Sequence, residues 1–343
     1  MPRRRPANSL PARPWIRDDV PWAWRGEGIL QVGDGERAVV LTGLARSAAE
    51  WLSSLRGDRR LPVALEAAER AGLPRPRAER LLRALLPTGA LDDAAVIPQT
   101  LRGLHPLLCD QFSQDLAAGR HVHGSPDSAA QAIDLRRRAT VAVVGDGPTA
   151  DLTCLMLTHA GIGEVLRESP GSSSSRRQRR RSRSRALAVL AGAAHPDVLD
   201  DLGAISLDLA HLPVTVYGAR ATIGPLVLPG LTGCLQCADL RRRDADAAWP
   251  RVAVQLAHRR PARPPVDSAL AQLAAAWIAQ QAVAWIEADG PAALDAGRWP
   301  QGWPQRGPAC LGTRLTVSLP NGSATAEPMP AHPLCGCRWP AAS

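Results

Sequence analysis

Two short cysteine pairs constrain this chain more than any other feature. Cys234 and Cys237 close the stretch G-P-L-V-L-P-G-L-T-G-C-L-Q-C as a C-x-x-C, and Cys335 and Cys337 stand in H-P-L-C-G-C-R-W near the C-terminus. Four thiols in two tight pairs far apart in sequence read as one tetrahedral, four-cysteine zinc site with a structural role. Such a site pins the end of the chain onto its middle, whatever lies between. The competing reading is two independent thiol pairs, redox-active or merely buried. Of the seven cysteines, Cys109, Cys154 and Cys310 remain outside the pairs, and Cys154 sits in an apolar helical stretch as a core residue would.

A second constraint lies upstream. A-T-V-A-V-V is a buried-strand run that enters G-D-G-P-T-A and then the helical D-L-T-C-L-M-L-T-H-A-G. Gly145, Gly147 and Ala150 form G-x-G-x-x-A after a strand and before a helix, the context a dinucleotide-type turn requires. The glycines allow a tight turn and a close approach of phosphate to the helix N-terminus. A following strand, E-V-L-R, ends in Glu168, where an acid could hold a ribose. Pro148 removes one amide donor from the turn, and Asp146 adds negative charge beside it. The alternative is a turn of this kind kept for packing alone.

The 343 residues suggest two domains, and 45 % hydrophobic residues suffice for a core. Net charge is +9, and every basic residue is arginine. Without lysine there is no Schiff base, no P-loop lysine and no lysine general base. No signal peptide and no apolar run of membrane-spanning length is read: the longest apolar helix, near 268–288, is interrupted by Gln272, Gln280 and Gln281. Reduced thiols and no targeting segment read as cytoplasmic.

In order, residues 1–22 read as a flexible Pro- and Arg-rich tail. Strand-like Gly28–Val32 and Ala38–Leu41 flank Asp34-Gly35, a hairpin signal. A helix is expected from Ser47 as N-cap, another from Pro62 to Gly72, and a third over R-A-E-R-L-L-R-A-L-L, with Ala78, Leu81, Leu82 and Leu85 at helical spacing. Residues 23–100 thus form a small winged-helix-like domain. Arg75, Arg77, Arg80 and Arg83 suggest DNA binding as one use. The rival is a peptide added as a strand beside a helix. Residues 101–137 read as a connector, with a helix-compatible stretch around Leu104–Ala117 and then His121 and His123 in an exposed loop. Residues 169–185 are a disordered Ser/Arg-rich run. Further strands are expected over A-L-A-V-L-A-G-A, L-P-V-T-V-Y-G-A-R and I-G-P-L-V-L, with a short helix in A-H-P-D-V-L-D-D-L, a loop at Trp249-Pro250, a long buried helix and a terminal hairpin across Pro320-Asn321-Gly322-Ser323. The fold class is α/β: the winged-helix-like element, then a Rossmann-like domain over 138–343.

Residues 211–250, H-L-P-V-T-V-Y-G-A-R through to D-A-A-W-P, resemble the E1-like, ThiF-type proteins of thiazole/oxazole-modified peptide pathways, known as cyclodehydratase-domain or leader-peptide-binding proteins. The order of strand, glycine turn, C-x-x-C, long helix, hairpin and second Cys pair fits over 138–343, and the N-terminal hairpin and helices resemble that family's peptide-recognition element. The resemblance implies a scaffold with structural zinc on Cys234, Cys237, Cys335 and Cys337. It would bind a precursor peptide by its leader and hand it to a YcaO-type partner. E1-like proteins often form homodimers; nothing in this sequence fixes that state. Catalytic members use an acid, an Arg, a Lys and an Asp to bind ATP and Mg2+. Here Glu168 could fill the first place and Arg177-Gln178 falls near the second. No lysine exists, and Asp197 comes late. The expectation is therefore a non-catalytic scaffold. An active ThiF-type, ubiquitin-like modifier-activating adenylyltransferase using Gly145, Gly147, Ala150 and Glu168 is the first alternative. A winged-helix DNA-binding regulator is the second. No membrane is expected as a partner, and nucleic acid is the lesser one.

Overall fold

The structure, a computed structural model, describes residues 10–17, 20–33, 38–95, 106–123, 126–169, 186–193, 209–258, 265–295 and 307–338. The chain divides into two compact units, residues 1–130 and 131–343.

In the first unit, β1 (Pro14–Ile16) pairs antiparallel with β5 (Leu91–Asp93). β2 (Trp22–Gly26), β3 (Ile29–Val32) and β4 (Val39–Leu41) form an antiparallel sheet in that order, leaving β2 and β4 as edges. Three helices follow: α1 (Arg46–Ser53), α2 (Leu61–Arg70) and α3 (Arg75–Leu85). Their apolar faces, including Leu52, Leu65 and Leu82, pack with Leu30 and Val32 of β3 into one core. Trp51 is buried there and its indole N–H donates to the Ala64 carbonyl at 2.8 Å.

Several expectations need correction here. Residues 14–16 lie in the stretch read as a flexible tail, yet they form a strand. The Ile16 side chain is buried, and Asp93 accepts from the Ala12 and Arg13 backbone N–H groups at 2.8 and 2.9 Å. A three-residue strand carries no readable alternation. β5 escaped for the same reason, and the five-residue β2 because its burial does not alternate. α1 begins at Arg46 after Ala45, so Ser47 is inside the helix and no side chain caps it. Asp34-Gly35 lies outside the described residues. In the connector the helix expected near Leu104–Ala117 is present as α4 (Pro106–His123) and runs further than expected, so His121 and His123 are helical rather than in a loop, and α5 (Pro126–Arg138) follows. Gly119 lets the two helices approach: a Cβ there would stand 3.1 Å from that of Ala129.

The second unit is built on a seven-stranded mixed sheet. β6 (Thr140–Gly145), α6 (Pro148–His159) and β7 (Glu164–Glu168) form a parallel βαβ unit. β8 (Leu187–Ala193) and β9 (His211–Tyr217) extend the parallel part on the other side of β6. β10 (Arg220–Ile223), β11 (Thr313–Ser318) and β12 (Ser323–Pro328) continue it antiparallel, giving the order β12-β11-β10-β9-β8-β6-β7. The helices α7 (Leu235–Ala245), α8 (Trp249–His258), α9 (Ser268–Glu287) and α10 (Gly290–Asp295) lie between β10 and β11 in sequence.

α9 packs beside α6, and Trp285, Ile278 and Leu270 are fully buried against Val143, Val189 and Val214. Asp267 caps α9, accepting from the Ala269 and Leu270 N–H groups. At its other end Glu287 pairs with Arg136, which also donates to the Ala160 carbonyl at 3.3 Å. By length and composition α9 could cross a membrane, which corrects the expectation that no run does; ten of its residues are buried in the unit, as in a core helix.

Residues 224–228 do not form a strand: β10 ends at Ile223, and only isolated bridges at Leu226 and Val227 follow, because Pro225 has no N–H to give a ladder. Trp249-Pro250 opens a helix rather than a loop. Proline is tolerated in a first turn, and Asp246 accepts from the Ala248 N–H at 2.9 Å. The expected short helix at A-H-P-D-V-L-D-D-L, including Asp197, the Ser/Arg-rich run from 170 and Arg177-Gln178 lie outside the described residues.

Candidate metal centre and glycine turn

After the Leu226 and Val227 N–H groups donate to the Cys310 and His211 carbonyls, the chain turns at Leu228–Thr232, where the Thr232 hydroxyl accepts from the Leu228 N–H at 2.8 Å. Gly233 follows, and a Cβ there would stand 2.6 Å from the Met329 carbonyl. Only glycine lets the returning strand end come so close. Cys234 is the N-cap of α7 and Cys237 lies in its first turn, where the helix dipole favours thiolates. From the other side, the segment after β12 brings Cys335 and Cys337.

All four Sγ atoms lie within 4.8 Å of one another. Cys234 to Cys237 is 3.8 Å, Cys234 to Cys335 is 3.7 Å, and Cys237 to Cys337 is 3.5 Å. A disulfide needs about 2.05 Å, so these are not disulfides. Thiolates at about 2.3 Å around a tetrahedral ion stand about 3.8 Å apart, and the three edges match that figure. Cys234, Cys237 and Cys335 are buried and Cys337 half-buried, with Val227, Leu240 and Ala331 packed around them. A hydrogen bond with Cys234 draws the Cys237 thiol down to about 4, against burial and with help from the His332 backbone N–H. Burial, then Cys237, pushes Cys337 up to about 12. The donor set is therefore one that a cation would complete, and it leaves no open coordination position for catalysis.

Sequence reading missed the side chains that hold the two halves together. Arg241 of α7 donates to the Pro330 carbonyl at 3.1 Å and the Ala331 carbonyl at 3.3 Å. Asp244, one turn on, meets His332 at 2.7 Å. Cys237, Arg241 and Asp244 recur at i, i+4 and i+7 on one helical face, a spacing that was available in the sequence.

The glycine turn sits at the carboxyl end of β6, where the parallel sheet changes direction between β7 and β8. Crevices of that kind take ligands in open α/β sheets. Gly145 has φ 145° and is pressed on β8: a Cβ would fall 2.1 Å from the Ala191 carbonyl. Gly147 has φ 90° with nothing within 4 Å of a Cβ, so a ligand has room there. Ala150, in the first turn of α6, is fully buried. Glu168 ends β7 opposite Val144, so the residues named from sequence do gather at neighbouring strand ends. The charge around them was not foreseen. Arg167 reaches back to Asp151 at 3.1 Å and Asp146 at 3.9 Å. Among the described residues, Asp146 and Asp151 thus stand at the turn around a guanidinium that both already engage, with Glu168 at the neighbouring strand end.

A scan against protein-family models and a search of the curated proteins match nothing. Among solved structures, the heterocyclase TruD matches 95 % of this chain at 18 % identity with TM-score 0.60; the chain spans 43 % of TruD. E. coli MccB with MccA matches 95 % of the chain and 99 % of its own at 16 % identity, TM-score 0.57. E. coli MccB with ATP matches over the same shares, also at 0.57. The family resemblance expected from the sequence is met in the fold.

Proposed function

We propose that this chain is a zinc-containing, E1-like scaffold of modified-peptide biosynthesis, which binds a ribosomal precursor peptide by its leader and presents it to a YcaO-type cyclodehydratase, without adenylating anything itself. The carrying observation is the contrast between its two sites. The cysteine centre is complete, with three S–S edges of 3.5–3.8 Å, while the glycine turn is lined by Asp146, Asp151 and Glu168 in a chain without lysine. Phosphates brought to that turn would meet the Asp146 and Asp151 carboxylates, with Arg167 already engaged by both. Pro148 has no N–H, and the Ala150 and Asp151 N–H groups already bond to the Gly147 carbonyl, so few donors offset them.

Zinc is the ion that four thiolates in a closed tetrahedron select, and its task is structural: it ties residues 335–337 to the N-terminus of α7. The first unit supplies the peptide site. β4 is an edge strand with α3 beside it, an arrangement that accepts an extended segment as an added strand. We read this unit as a winged-helix-like recognition element and the second as Rossmann-like. The likeness to MccB solved with MccA supports peptide binding.

A second reading, an active adenylyltransferase, is favoured by the match to nearly all of MccB, which has been solved with ATP, and by the open space at Gly147. Calorimetry of the metal-loaded protein with ATP and Mg2+, with zinc measured on the same sample, separates the two. No ATP binding with about one zinc per chain supports the scaffold. Micromolar ATP binding, followed by peptide-dependent pyrophosphate exchange, establishes the adenylyltransferase instead.

A further inference from the structure

The two flanks of α3 differ in charge. On one, Glu79 takes Arg75 at 3.4 Å and Arg83 at 3.2 Å, a closed i, i+4 ladder. On the other lie Arg77, Leu81 and Ala84, again at i, i+4 and i+7, with Arg80 at the rim. This second flank faces β4: the Arg77 guanidinium donates to the carbonyl of Gly43, two residues beyond that strand. The contact uses one of its five N–H groups. Arg80 is exposed, and among the described residues no carboxylate pairs with it. Beyond Arg80, toward the helix C-terminus, Leu81 and Ala84 are half-buried against the core and form an apolar floor.

We propose that the segment taken up at β4 is acidic, with its carboxylates in one alternating register. The inference rests on the leader-binding reading above and specifies its substrate class. A strand laid beside β4 would run about 4.8 Å from it and turn alternate side chains to the α3 side. β4 itself turns Leu41 inward and leaves Val40 41 % exposed. Residues of the incoming strand on the α3 side meet Arg77 and Arg80 toward the helix N-terminus and Leu81 and Ala84 beyond them. An Asp or Glu two positions from an apolar residue satisfies both, because each guanidinium can take a carboxylate through two parallel hydrogen bonds. Intervening residues lie over Val40 and are free to vary. A nucleic-acid duplex is the poorer fit, since Glu79 withholds two of the four α3 arginines from phosphate.

The test is selection of a random-peptide library on the full-length, zinc-loaded protein, followed by fluorescence anisotropy with the enriched peptides. The expected peptides carry Asp or Glu at period-two spacing from an apolar residue. Arg80→Ala, which truncates an exposed side chain, weakens them about fivefold, and so does Arg77→Ala. The Arg75→Ala/Arg83→Ala pair on the closed flank leaves affinity unchanged although it removes more charge. Enriched peptides that are neutral or basic overturn the acidic register while leaving leader binding in place. An equal loss in the closed-flank variant overturns it too, by showing a charge effect without a site. A library that enriches nothing, with duplex DNA bound instead, overturns the leader-binding reading itself.

Discussion

His332 and Asp244 stand 2.7 Å apart because the backbone fixes the histidine tautomer. The Leu334 N–H donates to Nδ1 at 3.1 Å, so the ring proton sits on Nε2 and is given to Asp244. The pair holds the segment carrying Cys335 and Cys337 against α7, and the His332 backbone N–H reaches the Cys237 thiol. His332→Ala is expected to weaken metal affinity about tenfold, the lower range for a group that orients ligands without binding the ion. Competition with a coloured chelator measures it.

Asp244 also sets a pH dependence. Arg243, first, and then His332 hold its carboxyl below the ordinary range. A carboxylate depressed on folding stabilises the native state above its unfolded pKa of about 4 and loses that contribution as pH falls through the lower folded value. Asp244→Asn and the parent should therefore differ in stability at neutral pH and converge below about pH 4. Urea titrations across pH check this.

Replacing Cys335 by serine removes one thiolate of four. The expected outcome is loss of stoichiometric zinc and a melting temperature lower by about 6 °C or more, corresponding to about 2–3 kcal/mol in a unit of this size. Mass spectrometry under native conditions and calorimetry report the two effects separately.

Gly145→Ala places a Cβ 2.1 Å from the Ala191 carbonyl at a φ of 145°, so β6 and β8 must part. It should cost about 3 kcal/mol or prevent folding. Gly147→Ala meets no atom within 4 Å and carries only the strain of its φ of 90°, about 1 kcal/mol. Chemical unfolding of both variants tests the contrast, which assigns Gly145 to packing and Gly147 to open space.

Arg136 and Glu287 have side chains only 15 % and 9 % exposed and bind each other across the ends of α5 and α9. Glu287→Gln removes the carboxylate from a largely buried guanidinium and should cost about 3 kcal/mol. The double replacement Arg136→Met/Glu287→Leu should recover much of that loss. Denaturant midpoints at equal slope give the comparison.

What the sequence made legible was whatever it repeats or punctuates. The cysteine spacing, the strand-turn-helix around Gly145 and Gly147, and the twenty-residue apolar α9 each carry a pattern longer than chance would supply. β1, β2 and β5 have three to five residues and no such pattern; their pairings are set by partners distant in the chain, as with Asp93 and Arg13. Trp249-Pro250 misled because proline reads as a break, although it suits a first turn. The charge at the glycine turn was half visible: Asp146 was noted, but only the fold brings Arg167 from β7 back over Asp151.

The thiol cluster joins positions 101 residues apart. With a metal bound, everything between them, including α8, α9, β11 and β12, belongs to one closed ring. A single proteolytic cut inside that ring would not release a fragment: the two pieces would migrate together until a chelator opened the clasp, and only then come apart under denaturing conditions. Integrity of the unit would depend on the ion rather than on an unbroken backbone.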